Sequence, residues 1–135
     1  MQNKTKRQKA RCYALQALYG WVCAPENLKN VQQSYLDKHG TKSFDTKYFS
    51  QLLHGVVDSL EQLDAHISPH TNISIEQVDI IELTALRIAT FELLHVPEVP
   101  RKVVMNEAIE LTKSFGSVDG YKFVNGVVAK IVAQL

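Results

Sequence analysis

The chain has 135 residues, a length that suits one domain able to bury most of its apolar side chains without disulfides or metals. It contains 15 basic and 14 acidic residues, yet the first acid is Glu26, so every charge before that position is positive. This asymmetry excludes an evenly charged surface and indicates a local anionic partner, either nucleic acid or a membrane.

Apolar residues recur at intervals of three and four along nearly every segment, which predicts an all-α fold. In the first helix, one face carries Ala14, Leu18, Trp21 and Val22. The same face continues backwards to Lys4, Arg7 and Arg11, and charged side chains are not accommodated in an apolar core. We therefore expect the first turns to lie at the edge of the domain, with their cations available for binding.

Neither a signal peptide nor a membrane span is expected, because Gln16 interrupts the apolar part of the first helix and no later run has membrane length. Cys12 and Cys23 form no CxxC pair, which fits reduced thiols in a cytoplasmic protein. An interfacial helix stays open as an alternative, since basic residues beside Tyr19 and Trp21 are also typical of membrane-surface helices.

Proline and glycine separate the next predicted elements. Pro25 closes the first helix, and a shorter second helix over residues 28–38 ends at Gly40. A third helix is predicted from Asp45 to Pro69. Its apolar side is formed by Tyr48, Leu52, Val56, Leu60, Leu63 and Ile67.

Ser74 and Gln77 have the spacing of a capping box, which predicts a fourth, central helix over residues 75–95. Pro97 and Pro100 then impose an extended turn. A fifth helix follows, with its apolar positions at Val104, Ala108, Leu111 and Phe115.

Gly116 is predicted to end the fifth helix in the left-handed conformation, and Asp119 is predicted to cap the last helix. The last helix has its apolar face at Tyr121, Val124, Val128, Ile131 and Leu135. Gly126 is a candidate position for close helix contact. We expect a single domain over residues 1–135, with residues 1–8 as a basic, candidate mobile start.

Known nucleotide-binding, zinc-protease and hydrolase motifs are missing from the sequence. His66 and His70 have the spacing of zinc ligands, but Pro69 breaks the helical geometry between them and no third ligand is near. The sequence therefore predicts no enzyme, no metal site and no cofactor.

Charged residues inside the later helices have structural explanations. Glu107 and Glu110, with Lys113 one turn on, are expected on a solvated face. Arg87, in an apolar helix, is expected to pair with a neighbouring glutamate.

A second basic site is predicted at the start of the last helix, where Lys122 lies between Tyr121 and Phe123. Helix N–H groups favour phosphate and aromatic faces stack on bases, so this composition is typical of single-stranded nucleic-acid binding. Two alternatives stay open: the aromatics pack in the core, and the charged start of the chain is merely solvated.

The stretch from Arg87 to Ile131, together with ALQALYGW near the start, closely resembles the NusB transcription antitermination factors of bacteria. Its most specific part is NEAIELTKSFG followed by KFVNGV. The resemblance implies an all-helical fold of two small bundles without enzymatic activity. It also implies binding to the single-stranded boxA RNA of ribosomal RNA leaders, as a heterodimer with the ribosomal protein that acts as NusE. RNA polymerase and other Nus factors would be engaged through that complex.

Carried over by position, the resemblance implies two sets of site residues. The RNA-binding residues are Lys6, Arg7, Lys9, Arg11, Tyr19, Asp119, Lys122 and Phe123. The partner-binding residues are two acids expected on the central helix, Glu76 and Glu82. Gln8 departs from the family pattern, which more often has arginine there, so fewer bidentate phosphate contacts are expected. Val118 and Tyr121 stand where the family more often has an acid and a histidine.

Two alternatives come from other functional classes. A related helical domain precedes the catalytic domain of certain ribosomal RNA cytosine methyltransferases, so an RNA-binding module of that kind is the first. We expect no room for a cofactor-binding sheet in 135 residues that this domain already fills. A structural homodimer, formed through the partner-docking side, is the second, and light scattering at several concentrations distinguishes it.

Overall fold

The computed structural model describes residues 4–135, and this part of the chain is helical without any strand. The α-helices are α1 (Lys6–Cys23), α2 (Leu28–His39), α3 (Thr46–Asp58), α4 (Leu60–Ile67), α5 (Ile80–His95), α6 (Arg101–Phe115) and α7 (Gly120–Ala133). Two short 3-10 turns, Ser68–His70 and Ile75–Gln77, precede α5. The all-α prediction is confirmed. Of the predicted mobile start, residues 1–3 lie outside the described residues, and the chain is helical from Lys6 onward.

The chain divides into two compact units, and the first contains the described residues up to Asp58. Within it α1 packs on α2 and α3. Thr5 opens α1 with a capping box, since its side chain accepts from the Gln8 amide and the Gln8 side chain accepts from the Thr5 amide. Leu15, Phe49 and Leu52 are fully buried and form part of its core.

The second unit, Ser59–Leu135, contains α4 to α7. As predicted, α5 is central, because it contacts α4, α6 and α7 and buries residues over most of its circumference. Arg87 reaches from α5 to Asp64 on α4 through two hydrogen bonds of 2.9 Å. The predicted structural pairing of Arg87 is confirmed, although the partner is an aspartate 23 residues away and not a neighbouring glutamate.

The predicted third helix is wrong as one element. It ends at Asp58, and α4 starts at Leu60, because Ser59 has φ −114° and ψ 14°, outside the helical region. No proline or glycine lies at this break, and the apolar spacing continues across it. The sequence therefore gives no signal that the helix ends there. The break coincides with the boundary between the two units.

The predicted capping box at Ser74 is also wrong. The Ser74 side chain makes no capping bond, and only a 3-10 turn follows it. Asp79 caps α5 instead, because its carboxylate accepts from the amides of Ile81 and Glu82 at 3.0 and 3.1 Å. Buried Val78 and Leu83 flank this cap at the positions of a hydrophobic staple, which stabilises the later start.

Both glycine predictions fail for reasons of geometry. Gly116 ends α6 in an extended conformation, with φ −97° and ψ −171°, and a side chain there would lie 2.8 Å from the Thr112 carbonyl oxygen. Close packing, not left-handed backbone, explains this glycine. Gly126 is exposed and has no neighbouring atom within 4 Å of a Cβ position, so it mediates no close helix contact.

Three side chains are placed differently from their predicted faces. Glu107, expected in solvent, is 8% exposed, because it lies on the buried stripe of α6 with Val104 and Leu111. Val22 and Leu135, expected on apolar faces, are 36% and 43% exposed near the ends of their helices. Helix periodicity continues beyond the point where a neighbouring element covers it.

Candidate nucleic-acid interface

The basic residues at the start of α1, which we call the α1 cluster (Lys6, Arg7, Lys9 and Arg11), occupy the first turns of an 18-residue helix. The first turn contains no acid. This arrangement opposes helix stability, because the amino end of a helix carries partial positive charge and favours anions. An anion bound there would be stabilised both by the side chains and by the helix end.

Arg7 is held in place by Asp45, which precedes α3, and by Tyr48 in the first turn of α3. Its Cζ lies 4.1 Å from the ring centroid of Tyr48, and its Nε lies 3.8 Å from Oδ2 of Asp45. The side chain is nevertheless 45% exposed. One face of the guanidinium is therefore covered by the ring, while donors remain accessible for an incoming phosphate.

Arg11 differs from the rest of the α1 cluster because it is buried, with 3% of its surface exposed. It shares the inner face of α1 with Ala14 and Leu15, and its Cζ is 5.5 Å from the Tyr48 ring centroid. The expectation that the cations in the first turns of α1 are available for binding at the edge of the domain is thus wrong at Arg11, which is buried. The exposed positive surface therefore consists of its neighbours in the α1 cluster, and an RNA contact by Arg11 stays a prediction.

Lys6 and Lys9 supply the unpaired part of the α1 cluster. Lys6 is exposed, Lys9 is half-buried, and neither belongs to an ion pair within residues 4–135. Tyr19, 38% exposed, lies thirteen residues after Lys6 on the same helix, or about 20 Å along its axis. A ligand that touches both ends must extend along α1, as a single strand of several nucleotides would.

The second predicted site, which we call the α7 cluster (Asp119, Lys122 and Phe123), lies in the second unit. Asp119 occupies the capping position of α7, but its side chain makes no capping bond. Its Oδ1 lies 3.3 Å from the Lys122 Nζ instead, and both side chains are largely exposed. The predicted cap is therefore wrong, and the carboxylate partly neutralises the cation beside it.

The two aromatic residues beside Lys122 are half-buried. They are thus neither fully packed in the core nor fully open for stacking on bases, the two alternatives that the sequence leaves open. Tyr121 and Phe123 each keep part of their surface accessible. The Lys113 Nζ lies 4.8 Å from the centroid of the Tyr121 ring, and Lys113 is exposed, as expected for a solvated face. Packing of α6 on α7 brings these residues together, and eight residues of separation hide the contact from any helical spacing rule.

The two acids expected on the central helix lie in different elements. Glu76 is in the 3-10 turn before α5 and is exposed, so its expected position on the helix is wrong. Glu82 is in the first turn of α5 and is half-buried. The Ser117 hydroxyl donates to Glu82 Oε2 at 3.5 Å, and burial, with a smaller contribution from the charge of Asp79, raises the pKa of Glu82.

This raised pKa predicts that Glu82→Gln increases stability at neutral pH. The folded protein holds the Glu82 proton more tightly than the unfolded chain, so the charged carboxylate costs stability, and this cost appears as the pH rises through the folded pKa. Urea unfolding should show the variant more stable at pH 7, with the difference vanishing well below the reference pKa of 4.5. The exposed Glu110→Gln is the control, and an equal gain there would contradict the explanation.

The described part of the chain contains neither a cluster of metal ligands nor a helix of membrane-spanning character. No group of three potential ligands is close enough to hold a metal ion there, and the His70 ring bonds Gln134 at 3.1 Å. Cys12 and Cys23 are both free thiols, the first buried and the second exposed. None of the helices between residues 4 and 135 has the length and apolar character needed to cross a bilayer.

Comparison with known proteins gives consistent matches over nearly the whole chain. The profile of the NusB family matches residues 8–133. A transcription antitermination protein NusB from Shewanella loihica is 45% identical over 130 residues, which cover 96% of this chain and 97% of the relative. One from Legionella pneumophila is 40% identical over 129 residues, covering 96% and 88% of the two chains.

Solved structures give the same fold. NusB of T. maritima superposes with a TM-score of 0.84 at 26% identity and covers 99% of this chain and 94% of its own. The NusB chain of a crystal structure of antitermination factors NusB and NusE in complex with dsRNA has a TM-score of 0.87 at 27% identity. That match covers 96% of this chain and 98% of the other.

Proposed function

The chain belongs to the NusB family of transcription antitermination factors, which are RNA-binding proteins and not enzymes, and from this premise we propose its specific targets. It binds the single-stranded boxA element of ribosomal RNA leader transcripts together with the ribosomal protein that acts as NusE. The complex engages RNA polymerase and other Nus factors in the cytoplasm, so that transcription continues through terminators.

The observation that carries this proposal is the α1 cluster. Lys6, Arg7 and Lys9 place cations at a helix end that electrostatically prefers anions, and Tyr48 orients one of them. Phosphate contacts of this kind fix the position of a nucleic acid without reading its sequence. Base recognition is therefore assigned to the α7 cluster, where Phe123 offers a stacking surface and Lys122 a further phosphate contact.

A basic partner protein is supported by two observations. A NusB relative of the same fold forms a complex with NusE and dsRNA. In this chain, Glu76 and Glu82 offer carboxylates that would meet basic groups of such a partner. Each partner would contribute part of one RNA-binding surface, so the heterodimer should bind RNA more tightly than either protein alone.

Fluorescence-anisotropy titration tests the proposal. The RNAs are single-stranded boxA, a scrambled strand of equal composition and the boxA duplex, each at two salt concentrations and with or without the ribosomal partner. We expect a preference for single-stranded boxA that strengthens with the partner and an affinity that falls with salt. Equal and weak binding to all three RNAs under every condition would contradict the proposal.

Asp119→Asn is predicted to tighten boxA binding by about threefold. The change removes a negative charge from a phosphate-binding surface and releases Lys122 from its exposed ion pair. The double variant Asp119→Asn/Lys122→Gln is the control. Without the Lys122 cation, Asp119→Asn should add little to boxA affinity, so the double variant is compared with Lys122→Gln alone. Weaker binding by the single variant would instead assign the Asp119 carboxylate to contact with a base edge.

A further inference from the structure

Glu82, one of the two proposed partner-docking acids, also contacts the start of α7, which carries the RNA-binding residues of the second unit. Its carboxylate extends from the first turn of α5 to the turn between α6 and α7, where the Ser117 hydroxyl donates to Oε2. A Cβ built on Gly120 would lie only 2.7 Å from Glu82 Oε2 and 3.0 Å from its Cδ. The carboxylate therefore packs directly against the first residue of α7.

The absence of a side chain at position 120 leaves room for this carboxylate and for the Ser117 hydroxyl, whose Oγ would lie 3.0 Å from such a Cβ. Gly120 starts α7, where alanine would otherwise favour the helix, and it is buried. Any larger residue would push the Glu82 carboxylate away. Asp119 precedes Gly120, and Lys122 and Phe123 follow it, so the carboxylate lies beside the backbone that carries all three side chains of the α7 cluster.

We propose that Glu82 is a positioning residue for RNA binding, holding the start of α7 so that the α7 cluster is ordered before RNA arrives. The inference rests on the proposed function and adds a coupling to it. A basic partner that binds the Glu82 carboxylate acts on the same contact that orients the α7 cluster. Partner binding and RNA binding thus share one residue, and by linkage each changes the affinity of the other by the same factor.

The contact depends on the shape and acceptor oxygen of the side chain more than on its charge. Burial and the neighbouring charge of Asp79 disfavour the ionised form, whereas glutamine keeps the length and the acceptor. Glu82→Gln should therefore keep the α7 cluster in place. Glu82→Ala removes the contact, and Gly120→Ala displaces the carboxylate while leaving it in the chain.

The test measures boxA affinity of the free protein, without partner, for these three variants and for Glu82→Ala/Gly120→Ala. We expect Glu82→Ala and Gly120→Ala each to weaken binding about fivefold and Glu82→Gln to bind within twofold of the unsubstituted protein. The double variant should bind no more weakly than Glu82→Ala, because the new methyl group then meets no carboxylate and only the Ser117 hydroxyl, 3.0 Å away at the end of a short side chain, has to adjust. Glu110→Ala, which removes an exposed acid from α6 in the same unit, is the matched control, and its free-protein affinity should not change.

Wild-type affinity in Glu82→Ala, or fully additive losses in the double variant, would overturn the inference and leave Glu82 as a simple interface residue. The proposed function would survive that result. Amide NMR shifts of Ser117 and Gly120 in the free protein provide a readout that needs no RNA. The shifts should change in Glu82→Ala and stay the same in Glu82→Gln. Unchanged shifts in both variants would also overturn the inference. This readout holds even if the protein shows no preference for boxA.

Discussion

Replacing Lys6 and Lys9 together by glutamine is expected to weaken boxA binding about tenfold at physiological salt and to flatten its salt dependence. Each phosphate contact to a single strand adds about 0.7 to the slope of log affinity against log salt, so the loss of two should lower it by about 1.4. Both lysines lie in the first turns of α1 without an ion pair among residues 4–135, so the change removes binding charge and little else.

The matched control is Lys29→Gln/Lys38→Gln, which removes two exposed cations from α2 in the same unit. Titrations at several salt concentrations compare the two double variants with the unsubstituted protein. A loss of equal size in both would show that net charge alone drives binding, and the α1 cluster would then be no RNA site.

The largest effect on stability is expected from Asp64→Ala. This change leaves the Arg87 guanidinium, only 12% exposed, without the carboxylate that accepts its two hydrogen bonds. Breaking a largely buried pair from one side costs about 3 kcal/mol in the free energy of unfolding. Urea denaturation followed by circular dichroism measures the loss as a lower midpoint with an unchanged slope.

Two further variants define the origin of this loss. Asp64→Ala/Arg87→Met should recover part of the stability, because the unpaired charge is gone and an apolar chain fills its place. Asp119→Ala, which breaks an exposed ion pair, should cost less than about 0.5 kcal/mol. A double variant less stable than Asp64→Ala would show that Arg87 contributes through packing and not through the pair.

Helix boundaries were predicted correctly where a proline or glycine lies at the boundary itself. Pro25 and Gly40 delimit α1 and α2, and Pro100 precedes α6, because these residues restrict or release the backbone wherever they occur. The break at Ser59 has no such residue. The helix breaks there because the residues before Ser59 belong to one unit and those from Ser59 onward to the other. The apolar spacing is the same on both sides, so periodicity does not reveal the boundary.

The start of α5 was likewise decided by tertiary packing. Both residues fit the pattern of a helix start, but α5 begins where Asp79 satisfies two amides and Val78 and Leu83 are buried beside it. Burial of the flanking residues is a tertiary property. Because α5 starts at Ile80, Glu76 lies before the helix and Glu82 lies in its first turn.

The amino-acid sequence by itself determined the all-α class, the family and the positive start of the chain, because these follow from periodicity, motif and composition. Tertiary structure decided which charged residues remain available. It buried Arg11 while leaving Lys6 exposed, paired Arg87 with Asp64 and placed Glu82 against Gly120. A side chain's exposure and its partners depend on which elements pack beside it, and that packing joins residues far apart in the chain.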